Sequence, residues 1–190
     1  MGRLSGDWPG QQSVQAIAYV CGYCGLHVSS ERGLNAIKGP SQDRLRICPH
    51  CNRPTFFEAG GIQVPGVAYG RPVPNVPDAL DKIYCEARYS TAAGAHTAAV
   101  LACRKILMHI AVDHKAKPGL GFIEYVEYLA HKGFVPPNGK GWVDHIRKKG
   151  NEANHEIVLM DSDASKDLLT FIEMLLTFLY DFPARIQPKQ

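Results

Sequence analysis

Two short stretches, VCGYCG at residues 20–25 and ICPHCN at residues 47–52, each hold a pair of cysteines separated by two residues. A C-x-x-C turn directs two thiolates at one metal ion, and two such turns supply the four sulfur ligands of a closed tetrahedral site. Zinc favours this ligand set, so the sequence predicts one structural Zn²⁺ per chain. The predicted ligands are Cys21, Cys24, Cys48 and Cys51.

Other uses of these cysteines stay open at this point. Iron in a rubredoxin-like site has the same four-sulfur geometry, and a redox dithiol needs only one C-x-x-C pair. The 23 residues between the two pairs make a longer insertion than common zinc templates have, and a longer β excursion can absorb it. His27 and His50 are close enough in sequence to be substitute ligands, although four cysteines already complete a site and favour surface positions for both histidines.

The residues around the cysteine pairs favour short strands, joined by a polar segment that contains serine and glycine. This pattern predicts a small zinc-ribbon β module over residues 1–60. Proline and glycine are frequent in residues 61–77, a composition that cannot continue a helix or a central strand. We therefore expect a linker there.

From Asp78 onward apolar residues recur at helical spacing, which predicts a separate helical domain over residues 78–190. A short first helix is expected near residues 78–89. Four further helices are expected through Ala95, Ala99, Cys103, Ile106 and Ile110; through Phe122, Val126 and Leu129; through Trp142, Ile146, Ala153 and Ile157; and, opened by Ser162 or Asp163, through Leu168, Ile172, Leu175 and Leu179. The predicted fold class is mainly α, with a bundle of about five helices after the β module.

Charge and hydropathy limit the possible partners and the compartment. Residues 1–75 carry seven Lys/Arg and four Asp/Glu, and residues 76–190 carry fourteen of each, so bulk charge does not favour nucleic acid. Scattered cations still permit a phosphate-contacting face on the β module: Arg32, Lys38, Arg44, Arg46 and Arg53. No apolar run has the length of a signal peptide or a membrane span, so we expect a cytoplasmic protein with no membrane partner.

A polar stripe lies along the helix predicted within GWVDHIRKKGNEANHEI, residues 141–157. Arg147, Asn151 and His155 follow one another at i, i+4 and i+8 and therefore share one helix face. These are candidate catalytic residues for a phosphate or RNA backbone, with His155 as acid/base and the cation stabilising charge. The alternative is a buried polar network in which the amides and the imidazole satisfy helix ends and loop carbonyls.

Three segments carry a resemblance to a known family: residues 89–110, residues 140–157 and residues 167–183. Together they resemble the family called domain of unknown function 4145 over roughly residues 78–183, with the zinc ribbon as an N-terminal extension seen in some relatives. The family is grouped with HEPN-like all-helical domains. The resemblance implies a helical bundle that often dimerises, in bacterial proteins linked to RNA metabolism, toxin–antitoxin pairs, restriction and anti-phage defence.

The same resemblance bears on catalysis. Active HEPN ribonucleases cut RNA without metal, using an arginine, the polar residue after it and a histidine a few positions later. Asn151 and His155 match the polar residue and the histidine, but Gly150 occupies the position of the arginine. Arg147 lies eight residues before His155, outside the family spacing, and Lys149 fits the spacing without the bidentate fork of arginine.

We therefore interpret the chain as a non-catalytic HEPN-like interaction module that assembles with itself, with a partner protein or with RNA. A homodimer through the helical domain is expected, because the final helix has more apolar residues than one buried face needs: Leu168, Leu169, Phe171, Leu175, Leu176, Phe178 and Leu179. Two alternatives stay open. One is a metal-independent endoribonuclease that uses Asn151 and His155 with Arg147 or Lys149, and the other is a targeting subunit of a restriction or nuclease system.

Overall fold

The computed structural model describes residues 3–36, 42–135, 141 and 159–186. The chain divides into two compact units, Met1–Ala68 (unit 1) and Tyr69–Gln190 (unit 2). Unit 1 contains the strands β1 (Gln12–Val20), β2 (His27–Asn35), β3 (Arg44–Ile47), β4 (Pro54–Phe57) and β5 (Gln63–Val64). Unit 2 contains the helices α1 (Asp78–Ala92), α2 (His96–Asp113), α3 (Phe122–His131) and α4 (Ser162–Leu176), then a π-helical turn (Thr177–Asp181) and a short α5 (Phe182–Ile186).

The five strands form one antiparallel sheet in chain order, from β1 at one edge to β5 at the other. β1 bulges against β2 between Ser13 and Ile17. Arg46 of β3 satisfies a carbonyl at this bulge, because its Nη2 donates to the Gln15 oxygen at 3.1 Å while Nη1 donates to the Leu45 oxygen at 2.9 Å. Gly33 stands opposite Arg46, where a Cβ would overlap the Leu45 carbonyl. A buried arginine thus stabilises the irregular part of the sheet.

Residues 61–77, expected as a linker, contribute to both units. Gln63–Val64 forms β5 of the sheet. Arg88 of α1 donates from Nε to the Tyr69 oxygen at 2.8 Å and from Nη2 to the Gly70 oxygen at 2.7 Å. The Tyr84 hydroxyl donates to the Arg71 oxygen at 2.9 Å. The carbonyls of residues 69–71 are therefore fixed to α1 by side-chain donors.

Helix α2 lies at the centre of unit 2 and contacts α1, α3 and α4. Four of its five predicted apolar positions are fully buried: Ala99, Cys103, Ile106 and Ile110. The fifth, Ala95, is exposed because it precedes the first residue of α2. From α3 and α4, Val126, Leu129, Leu168 and Ile172 enter the same core. α4 begins one residue after its cap, since the Asp161 carboxylate accepts a hydrogen bond from the Ala164 N–H at 2.7 Å. In the described part of the chain, no helix is both long and apolar enough to cross a bilayer.

The final helix consists of α4, a π-helical turn and α5 in direct succession. The Thr177 hydroxyl donates to the Glu173 oxygen at 2.7 Å at the start of the turn. At its end the buried Asp181 carboxylate accepts from Asn75 Nδ2 at 3.3 Å and from Arg185 Nη2 at 2.7 Å. The hydrogen bond from Arg185 lowers the pKa of the Asp181 carboxyl.

Two parts of the predicted fold class need correction. With a five-stranded sheet filling unit 1, the chain is not clearly mainly α, and the described residues hold four helices of ten or more residues, so the count of about five is off. β2 is the reason for the first difference, because its sequence HVSSERGLN is polar and joins the sheet through pairing with both neighbours. The helix predicted through Trp142 and Ile157 lies outside the described residues.

Candidate metal centre

The first cysteine pair sits in a tight turn directly after β1. The Cys21 N–H donates to the Leu26 oxygen at 3.0 Å, and the Gly25 N–H donates to the Cys21 oxygen at 2.8 Å. Gly25 has φ +70°, a left-handed conformation that glycine adopts without steric cost. The turn therefore ends with a glycine immediately after the second cysteine.

The second pair repeats this turn between β3 and β4. The Cys48 N–H donates to the Arg53 oxygen at 3.0 Å, and the Asn52 N–H donates to the Cys48 oxygen at 2.9 Å. Asn52 takes the place of the glycine, with φ 57°. Asparagine tolerates the left-handed region better than most residues, so both turns close in the same way.

The two turns bring the four sulfurs together. Their Sγ atoms all lie within 4.8 Å of one another. Cys21 and Cys51 are separated by 3.7 Å between sulfurs, and Cys24 and Cys48 by 3.9 Å. A tetrahedron of sulfurs about 2.3 Å from a central zinc has edges of about 3.8 Å, whereas a disulfide needs about 2.05 Å. The cysteines are free thiols whose geometry fits one metal ion and is compatible with zinc.

Burial raises the pKa of the cysteine thiols, whereas hydrogen bonds from the backbone lower it. Burial raises the pKa of Cys51 to about 12 and also raises the pKa of Cys24. At Cys21 burial is outweighed by hydrogen bonds from the backbone of Cys24 and Tyr23, which lower the pKa. Cys21 is therefore the most readily ionised of these three ligands, and a bound dication would favour the thiolate form of all of them.

The chain after β5 covers Gly22 of the first cysteine turn. Gly22 lies under the carbonyls of Pro65 and Gly66, and a Cβ at position 22 would overlap both oxygens. Gln63 holds this covering segment in place, because its Nε2 donates to the Val20 oxygen at 2.8 Å and to the Pro65 oxygen at 3.1 Å. The glycine in C-G-Y-C is thus required by the close approach of the chain after β5.

The N-terminal segment is attached to the second turn through Asn52. Asn52 Nδ2 donates to the Gly6 oxygen at 2.8 Å and to the Leu4 oxygen at 3.2 Å. The Trp8 indole N–H donates to the Asn52 backbone oxygen at 3.0 Å. One buried asparagine therefore sets the turn and fixes residues 4–8 over it.

Substitutions of Asn52 should separate these two roles. Asn52→Gly should retain the metal and the left-handed turn but release residues 4–8, seen as faster amide hydrogen exchange in that segment. Asn52→Ala should release the same segment and in addition strain the turn, costing about 1–2 kcal/mol more than the glycine variant in thermal unfolding. Equal melting temperatures for the two variants would contradict the conformational role.

The other metal and phosphate candidates of unit 1 have different surroundings. His27 and His50 are exposed and lie outside the four-sulfur cluster. Arg46 is 1% exposed and bonded within the sheet, Arg53 lies over the Tyr23 ring at 5.3 Å, and Arg32 donates to Gln11 Oε1 at 2.8 Å. These three arginines are largely engaged within unit 1. Lys38 lies outside the described residues.

The candidate catalytic residues Arg147, Asn151 and His155 lie outside the described residues, as do Lys149 and Gly150. Sequence reasoning missed Asn52 as a structural residue of the metal centre. Aligning CGYCG with CPHCN would have revealed it, because the residue after the second cysteine is a glycine in one motif and an asparagine in the other. Both residue types point to a left-handed position.

Comparison with known proteins bears on the helical unit. A family model described as "Domain of unknown function (DUF4145)" matches residues 85–189, more than half of the chain. The match begins inside α1 and does not include the cysteine cluster. No curated protein and no solved structure matches the chain.

Proposed function

The chain belongs to the DUF4145 family, and from that premise we propose that it is a non-catalytic interaction module in which a zinc ribbon precedes a HEPN-like helical domain. In this proposal it is a cytoplasmic bacterial protein that forms a homodimer and serves nucleic-acid metabolism or anti-phage defence. The zinc is structural and the helical domain provides the contacts. A protein or RNA partner completes the assembly.

The observation that carries the proposal is the closed ligand set of unit 1. Four sulfurs within 4.8 Å of one another can complete a tetrahedral ligand set, and such a set leaves no coordination position for water or substrate. Three of the four cysteines are buried, so solvent has little access to the centre. A metal held in this way contributes folding energy to the β module and supports a binding role.

The proposed self-association uses only part of the apolar set that the sequence suggested, together with three further residues. Five of the seven apolar residues expected to exceed the needs of one buried face belong to the core of unit 2: Leu168, Leu169, Phe171, Leu175 and Leu176. Phe178 of that set and three further large apolar side chains of the final helix are 36–82% exposed: Met174, Phe178, Phe182 and Ile186. We call these four residues the helix stripe.

The π-helical turn aligns the helix stripe. Residues four apart in an α-helix drift by about 40° around the axis per step. The π turn winds more slowly, so the step from Phe178 to Phe182 reverses part of that drift. A groove of about 690 Å³ adjoins the stripe and is lined by Met174, Phe178 and Phe182 together with Tyr69 and Arg71. An aligned apolar stripe beside a groove supports a helix-mediated homodimer.

An RNA cleavage assay in EDTA tests the absence of catalysis. The wild type should leave total RNA intact, because the family arginine is replaced by Gly150. His155→Ala should then act only on stability, with a loss of about 1–3 kcal/mol if its ring satisfies buried amides. Metal-independent cleavage by the wild type, lost in His155→Ala at an unchanged melting temperature, would establish an endoribonuclease instead, since a general acid/base contributes about 10²–10⁴ in rate.

A further inference from the structure

One face of the unit 1 sheet carries a continuous apolar row across four strands. Leu34 of β2 pairs with Leu45 of β3, Leu45 pairs with Phe56 of β4, and Phe56 pairs with Val64 of β5. Directly paired residues project from the same face of a sheet, so the four side chains form a line about 14 Å long. We call Leu34, Leu45, Phe56 and Val64 the sheet row.

Three of the four sheet-row side chains are exposed although they are large and apolar, and the fourth, Leu45, is partly buried. Leu34 is 43%, Phe56 38% and Val64 50% exposed, and none of the four belongs to a hydrophobic cluster of the described residues. The opposite face behaves differently, since Tyr19 and Phe57 pack edge to face at 5.1 Å beside the cysteines. A contiguous apolar patch on one side of a sheet marks an interaction surface.

Charges of opposite sign border the two sides of the sheet row. Arg32 lies two residues before Leu34 on β2, at the side nearer the cysteines, where its guanidinium donates to Gln11 Oε1 at 2.8 Å and to Asn52 Oδ1 at 3.3 Å. Both partners are neutral amides, so the positive charge of Arg32 is not cancelled within unit 1. Asp43 and Glu58 lie at the other side, where the strand pairing continues through the Ala36 N–H to the Asp43 oxygen and the Glu58 N–H to the Ile62 oxygen, both at 2.9 Å. Two carboxylates beside an uncharged row disfavour a polyanion. A surface with opposite charges on its two sides is complementary to itself.

We propose that the sheet row is a self-association surface on which a second copy of the chain packs face to face through the same row. A twofold axis parallel to the row places each residue of the row over its counterpart. The axis also turns the Arg32 side of one copy towards the Asp43 and Glu58 side of the other. The patch is smaller than the roughly 800 Å² per partner of a standard interface, so the association is weak and visible at micromolar concentration. This surface is independent of the helix stripe.

The proposal is tested by sedimentation equilibrium of four full-length proteins: wild type, Phe56→Ser, Phe178→Ser and the double variant. With both surfaces active, the wild type forms assemblies larger than a dimer, each single variant stops at a dimer, and the double variant is a monomer. A monomeric Phe178→Ser would overturn the sheet row, as would a double variant that still dimerises. If Phe56→Ser is monomeric and Phe178→Ser is dimeric, the sheet row is supported as the association surface and the helix stripe is contradicted.

Charge reversal tests the proposed orientation in the Phe178→Ser background. Arg32→Glu and Glu58→Arg should each weaken dimerisation at least tenfold, and the two together should restore it. Val67→Ser is the matched control for Phe56→Ser and should leave the association unchanged, since Val67 is 42% exposed in unit 1 and lies outside the row. Retained metal content shows that each variant is folded. Failure of the double reversal to restore the dimer would overturn the twofold arrangement. A separate binding measurement uses single-stranded oligouridine. Binding by the wild type but not by Phe56→Ser would assign the surface to RNA instead.

Discussion

Replacing Cys48 by serine should remove the metal from the protein and unfold unit 1, while most of the helical circular dichroism signal remains. The buried residues of the hydrophobic cluster of unit 1 are Tyr19, Cys21, Cys48 and Cys51, so three of the four are candidate metal ligands. Without the ion this cluster loses its cross-link and leaves buried thiols with no partner. Structural zinc sites contribute roughly 10–16 kcal/mol to the folding of small domains, which exceeds the stability that so few apolar contacts can supply.

Metal analysis and circular dichroism together measure this outcome. The wild type should contain about one zinc per chain after dialysis, and Cys48→Ser should contain none. Cys85→Ser is the matched control, because Cys85 is a free thiol of α1 outside the cluster and should leave the zinc content unchanged. Retention of stoichiometric zinc by a Cys21→Ser, Cys48→Ser double variant would refute the assignment of the ligands.

Leu168→Ala should have the converse effect and destabilise unit 2 without loss of metal. Leu168 is 0% exposed and belongs to the apolar cluster around α2. Truncation of a buried leucine to alanine removes its transfer free energy and leaves a cavity, at a cost of about 2–5 kcal/mol. For a unit of this size the melting temperature should fall by about 10 °C.

Met174→Ala provides the comparison on the same helix. Met174 is 36% exposed and lies in the helix stripe, so its truncation should change the melting temperature of a monomeric sample little. Zinc content should stay at one per chain in both variants. Loss of zinc in Leu168→Ala would show that the folding of the two units is coupled.

Sequence reasoning was most informative where chemistry or periodicity acts over a few residues. The two C-x-x-C pairs predicted one cluster of four thiols, and this is confirmed by the sulfur positions. Ala99, Cys103, Ile106 and Ile110 repeat at helical spacing over a long helix, where local pattern and burial coincide. Such signals need no knowledge of distant contacts.

The sequence was less informative where pairing partners decide the structure. β2 is polar and is a strand because β1 and β3 flank it, and the sheet row exists only once four strands are in register. The apolar count of the final helix likewise did not distinguish Leu175, which is buried, from Phe178, which is exposed. Composition gives the number of apolar residues, whereas packing determines which of them remain on the surface.

The π-helical turn interrupts the regular winding of the final helix, and this interruption keeps the apolar side chains before and after it on one side. A π turn holds one residue more than an uninterrupted α-helix would place there, and it gives up some of the regular i→i−4 hydrogen bonding. Winding all five residues of the turn as an ordinary α-helix, with none deleted, would rotate everything beyond it by about 100°. Phe182 and Ile186 would then face away from Met174 and Phe178. The surface would lose its continuity through a change in winding alone, with every apolar side chain still present.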